Sequence, residues 1–153
     1  GVRLVLAGDG PDRSKLEHLA RELKVSERVT FLGAVPQAQL RTHYGAADAL
    51  VLASSREGWA NVLLEAMACG TPVVASRVYG TPEVVAAPEA GVLMGERSYQ
   101  GVADAVNALR AHYPDRGATR RYAERFSWDD TTNGQLHLFD KVLAGRAGAL
   151  SLA

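Results

Sequence analysis

Residues 49–76 read ALVLASSREGWANVLLEAMACGTPVVAS, and the order of residue types in this stretch decides the fold. A short apolar run, Ala49 to Ser54, gives way to a polar loop that contains Gly58. Asn61, a residue favoured at helix N-caps, then opens a helical run from about Val62 to Cys69, which Gly70 and Pro72 close. A second apolar run rich in β-branched residues, Pro72 to Ser76, follows at once. Strand, helix and strand in this order make a β–α–β unit, with parallel strands and a right-handed crossover.

The same alternation extends in both directions. Upstream, "VRLVLAG" (2–8) precedes a pattern with Leu16, Leu19, Ala20 and Leu23 on one helical face, and "RVTFLG" (28–33) precedes another with Leu40, Tyr44 and Ala47. Downstream, "GTPEVV" (80–85) reads as a short helix, and "GVLM" (91–94) leads into a helix through Val102, Val106 and Leu109. Five continuously apolar strands separated by helices predict an α/β fold. It is a Rossmann-like three-layer domain with a mostly parallel five-stranded sheet and helices on both faces. From about Pro114 onward only helix is expected. Ser127 would cap the last helix three residues before Asp130, and Trp128, beside Phe126, would anchor it. No linker or repeat interrupts the pattern, so residues 1–153 are expected to form one domain.

The balance of 17 basic and 17 acidic residues provides no net field, which argues against a nucleic-acid partner. The single cysteine, Cys69, cannot form an internal disulfide and reads as a small core residue. No apolar run approaches the ~18 residues of a membrane span, and no basic signal-type start is present, so a cytoplasmic location is expected. His18, His43, His112 and His137 are scattered without ligand spacing, which predicts chemistry without a metal. "GDG" at residues 8–10 hints at a dinucleotide fingerprint, but Arg13 stands where the third glycine belongs, so it reads as a plain strand-to-helix turn.

Ligands of parallel α/β sheets sit beyond the carboxyl ends of the strands. The loops "GDGP", "GAVP", "SSREGWAN" and "SRVYGTPE" all fall on that edge. The free amides opening the 62–69 helix would form an anion seat. Glu65 sits one turn in, among Val62, Leu63, Leu64, Ala66, Met67 and Ala68. An unpaired buried carboxylate there costs about 2–5 kcal/mol, so it needs a donor: a ligand hydroxyl, or Arg56 or Arg77. Glu57, eight positions earlier, is either a solvated loop charge or a ligand contact. Trp59 either stacks on a ligand or packs over the helix start. Glu83, after Pro82, reads first as a favourable charge at a helix start.

Taken together, the pattern E-G-x-x-N-V-x-x-E-A-M-A-x-G-x-P-V resembles the signature of the retaining GT-B glycosyltransferases, especially the large family 4 (group 1), which includes many bacterial cell-envelope and polysaccharide enzymes. "LVLAGDGP", "VTFLGAVP", "ALVLASSREG", "GTPVVAS", "GTPEVV" and "RFSW" also fall in the order of the C-terminal, nucleotide-sugar-binding domain of those enzymes, which is one half of their fold. The resemblance implies a hexosyltransferase that moves a sugar from a nucleotide diphosphate sugar, with a UDP or GDP base, to a hydroxyl acceptor. Glu57 would be the catalytic carboxylate on the donor sugar, and Glu65 would hold the ribose. Gly58, Trp59, Ala60, Asn61 and Val62 would address the sugar and diphosphate, and Ala34 and Val35 the base.

The resemblance also implies parts that this sequence does not match. The family places an Arg and a Lys after a first strand that would precede Gly1, and it has an N-terminal acceptor domain. The expectation is therefore a fragment that binds donor weakly and is inactive alone, with the full enzyme possibly membrane-associated. Its five strands would close in the order 2-1-3-4-5, or an edge or partner would fill the gap. Two rival readings are a catalytically silent nucleotide-binding or scaffolding domain, and a hydrolase using Glu57 and Glu65 as its carboxylate pair.

Overall fold

The computed structural model describes residues 1–150, the side chains of Asp130 and of residues 145–150 excepted. The chain divides into two compact units, Gly1–Ala47 and Asp48–Ala153.

The first unit contains β1 (Leu4–Ala7), α1 (Arg13–Glu22), a 3-10 turn at Ser26–Arg28, β2 (Val29–Gly33) and α2 (Gln37–Ala46). β1 and β2 pair in parallel, Leu4 opposite Val29 and Leu6 opposite Phe31. Arg13 opens α1, bonds Glu17 at 2.9 Å and lies 5.8 Å from the Phe31 ring centre, so the "GDG" segment is the plain turn its sequence suggests. The apolar face of α1 is less covered than its pattern implies: Ala20 is buried, but Leu16, Leu19 and Leu23 are 43%, 46% and 62% exposed. A 47-residue unit with two short strands has little surface to set against them.

The second unit contains β3 (Leu50–Leu52), α3 (Asn61–Ala68), β4 (Val73–Ala75), α4 (Thr81–Val84), β5 (Gly91–Leu93), α5 (Tyr99–Ala111), α6 (Arg116–Ala123) and α7 (Trp128–Leu150). Its three strands are parallel, with β4 in the middle and wholly buried. Val74 packs with Met94 of the segment after β5 and with Ala105 and Leu109 of α5. Parallel strands with helices around them make the α/β class expected. The five strands form two ladders, β1–β2 in the first unit and β3–β4–β5 in the second. Alternating apolar runs encode which segments are strands, but which edges meet depends on long-range pairing.

α3 ends as its sequence predicts. Gly70 adopts φ 77°, its amide donates to the Met67 carbonyl (2.8 Å), and the Thr71 amide donates to the Ala66 carbonyl (3.0 Å). This is the Schellman arrangement, in which a left-handed residue without a side chain turns the chain out of the helix. A Cβ on Gly70 would also lie 3.0 Å from the Arg116 carbonyl, so the same residue lets α6 come close.

Two details at the ends of helices differ from expectation. Asn61 is the first residue of α3 and Ala60 its N-cap, without a side-chain bond. Trp128 is 82% exposed, so it does not anchor the helix as expected, whereas Phe126 is half-buried against aromatic rings. The Ser127 hydroxyl does cap α7, accepting from the Asp129 amide at 3.2 Å; the Asp130 side chain lies outside the described residues.

Candidate functional site

Two loops leave the carboxyl ends of β3 and β4 side by side. The first, residues 53–60, carries Glu57; the second, residues 76–80, leads into α4. They are joined at their bases. Ser76, 2% exposed, donates its hydroxyl to the Ser54 carbonyl (2.6 Å) and its amide to the Leu52 carbonyl (2.9 Å). They meet again further out, where a Cβ on Gly80 would stand 2.7 Å from the Gly58 carbonyl. Only glycine at position 80 permits this approach.

The second loop is tightly turned. The Val78 amide donates to the Ser76 carbonyl (3.0 Å), and both the amide (3.0 Å) and the hydroxyl (2.5 Å) of Thr81 donate to the Val78 carbonyl. Between them Tyr79, 70% exposed, takes φ 44°, a left-handed conformation uncommon for a bulky residue.

In the first loop Glu57 is half-buried, Gly58 and Arg56 are exposed, Trp59 is 46% exposed and Ala60 is 3% exposed. The chain enters α3 through an inverse γ-turn at Ala60 (φ −75°, ψ 80°), where the Asn61 amide donates to the Trp59 carbonyl at 2.9 Å. The Leu63 amide donates to the Ala60 carbonyl (3.0 Å). The anion seat expected from the sequence is therefore narrower than a bare helix start: two of its first three amides are spent, and the Val62 amide has no acceptor in the loop before it. Glu65 follows one turn later, half-buried and partnered within the fold.

The structure thus brings Glu57, Gly58, Trp59, Ala60, Asn61, Val62 and Glu65 onto one loop-to-helix junction. Ala34, exposed, and Val35, half-buried, belong to the other unit, in the β2–α2 connection directly after Gly33. Trp59 packs: its ring meets Phe126 edge-on, with centres 6.0 Å apart and planes at 61°. Glu83, exposed in the first turn of α4, sits where its charge suits the helix dipole. Ser76, Gly80 and Phe126 shape the junction without having been legible as site residues. Gly80, directly before Thr81-Pro82, gave the one local signal.

Among the described residues no group of three or more His, Cys, Asp or Glu side chains is placed to hold a metal ion, and no helix is long and apolar enough to cross a membrane.

A loop-to-helix junction on the carboxyl edge of a parallel α/β sheet is the architecture of a ligand-binding domain. Residues 1–126 match the family described as glycosyl transferases group 1, and the chain belongs to that family. It is 38% identical over 138 residues to the D-inositol 3-phosphate glycosyltransferase of Corynebacterium urealyticum, covering 87% of this chain and 32% of that protein. Among solved structures it resembles sucrose-phosphate synthase from Thermosynechococcus elongatus, with TM-score 0.75 and 30% identity, over 94% of this chain and 39% of the other. It also resembles Anabaena HepE in complex with UDP, with TM-score 0.68 and 25% identity, over 94% and 41%. The chain spans about a third of the length of the curated relatives it matches.

Proposed function

We propose that this chain is the donor-binding C-terminal domain of a retaining glycosyltransferase. The whole enzyme would move a hexose from a nucleotide diphosphate sugar to a hydroxyl acceptor, with an N-terminal domain that binds the acceptor. The observation that carries this reading is the junction at the end of β3: a half-buried Glu57, an α3 start with its Val62 amide open, and Glu65 one turn in. The amide and the helix dipole suit a diphosphate oxygen. Ionised hydrogen bonds are about twice as strong as neutral ones, so Glu57 suits the sugar hydroxyls and Glu65 the ribose diol. Ala34 and Val35 would meet the base through their backbone. The UDP held by HepE supports a nucleotide at such a domain.

In this mechanism the leaving diphosphate takes the acceptor proton on the face of the sugar that it leaves. The protein supplies position and electrostatics, and no metal. A cytoplasmic location goes with a nucleotide sugar donor.

Calorimetry with UDP and GDP, on this chain and on the full-length protein, tests the reading. Binding of one nucleotide that is lost in Glu65→Ala supports it. Binding that is indifferent to Glu65, or no binding by either protein, refutes it. Release of free sugar from a glycoside, without a nucleotide, would favour the hydrolase.

A further inference from the structure

The junction that carries Glu57 is braced from outside by an aromatic chain that ends on α6. Helices α3 and α6 pack antiparallel. The N-terminal end of α6 meets the C-terminal end of α3, where Arg116 approaches Gly70 and donates from its guanidinium to the Thr71 hydroxyl at 2.9 Å. The chain leaving the C-terminal end of α6 brings Phe126 to Trp59, just before α3 begins.

α6 itself is firmly seated. Thr119, fully buried, donates its hydroxyl to the Glu89 carbonyl at 2.7 Å. Tyr122, 4% exposed, donates its hydroxyl to the Val84 carbonyl (3.1 Å) and accepts from the Ala86 amide (3.2 Å), which ties it to the end of α4. The Arg125 guanidinium covers the Tyr122 ring at 4.3 Å. Phe126 leans on that ring at 5.5 Å and also meets the Trp59 ring at 6.0 Å. The loop is therefore held from two sides: Gly80 against the Gly58 carbonyl, and Phe126 against the Trp59 ring.

We propose that Phe126 is a positioning residue for the donor loop, acting through Trp59 to fix the Glu57–Asn61 segment before ligand arrives. It touches no ligand. Its work is to remove conformations of a loop that would otherwise have to be ordered at the moment of binding, a cost that preorganisation avoids. The inference rests on the proposed donor site, but the contact itself is independent of it.

Trp59 and Trp128 are the two tryptophans of the chain, so in a Trp128→Phe background Trp59 reports alone. Phe126→Leu, which keeps an apolar side chain but removes the ring, should raise acrylamide quenching of Trp59 at unchanged far-UV dichroism, whereas Phe126→Tyr should leave it as it was. Affinity for UDP or GDP should fall by a factor of about 2–10 in Phe126→Leu, the range an aromatic pair supplies, and recover in Phe126→Tyr. The double variant Phe126→Leu/Trp59→Leu should bind no more weakly than either single variant, because the two act as one unit. Unchanged quenching in Phe126→Leu, or strictly additive losses in the double variant, overturns the inference. Loss of nucleotide binding in Glu65→Ala with no change in Phe126→Leu overturns it too, while leaving the proposed function standing. Absence of nucleotide binding in the unmodified chain and the full-length protein instead overturns the function, and with it the role given to Phe126.

Discussion

Ser76 and Ser54 are joined across neighbouring strand ends by a 2.6 Å hydrogen bond from the Ser76 hydroxyl to the Ser54 carbonyl. This bond fixes the base of the Glu57 loop, because Ser54 stands two residues past the end of β3. Ser76→Ala leaves the half-buried Ser54 carbonyl without this donor. We expect a loss of about 1–3 kcal/mol in urea-induced unfolding. A loss below about 0.5 kcal/mol would mean that water takes over the bond.

Gly70 is asked for two things at once: a left-handed backbone and room for the Arg116 carbonyl. Gly70→Ala should therefore destabilise by at least the ~1–2 kcal/mol that a left-handed alanine costs. The control is Gly134→Ala within α7, where a new methyl group meets nothing within 4 Å. That change should stabilise by about 0.5–1 kcal/mol, since glycine is the poorer helix residue. Equal effects of the two substitutions in thermal unfolding would contradict this account.

Tyr79 has a backbone conformation that glycine or asparagine would adopt with less strain, and the residue is largely in solvent. On stability alone Tyr79→Asn should gain about 0.5–1 kcal/mol. Residues held in such conformations gather at functional sites, so nucleotide affinity should be measured on the same variant. A stabilised protein that binds less well would show that the strained tyrosine serves the site rather than the fold.

Glu57→Gln keeps the shape of the side chain and removes its charge. If the carboxylate receives donor hydroxyls, affinity for the nucleotide sugar should fall about tenfold, the lower end of what a hydrogen bond to a charged group contributes. Affinity for the nucleoside diphosphate alone should hold. Equal losses for both ligands, measured by calorimetry, would place Glu57 at the diphosphate instead.

The strands of this chain were readable because each is a short β-branched or leucine-rich run closed by a small or polar residue, as Val73, Val74 and Ala75 are by Ser76. The end of α3 was equally plain, since Gly70 and Pro72 leave the helix no way to continue. Its beginning was not. Asn61 has the chemistry of an N-cap, but the γ-turn at Ala60 starts the helix one residue sooner, and that turn leaves no mark in composition. Phe126 and Trp128 flank Ser127 symmetrically in sequence; which of them turns inward is decided by where α6 places the chain, next to Tyr122 and Trp59. Glu57 and Glu65 were visible as a pattern. The bracing around them was invisible, because Gly80 and Phe126 act through contacts made across 22 and 67 positions of the chain.

Two strands that are equally apolar in sequence lead different lives. β4 is closed on every side, whereas in β1 the adjacent residues Leu4 and Val5, which point to opposite faces, are 46% and 52% exposed. Amide hydrogens of Leu4–Ala7 should therefore exchange through frequent local opening, and those of Val73–Ala75 only when the second unit melts as a whole. The polypeptide carries a soft end and a hard end, and Glu57 is rooted in the hard one.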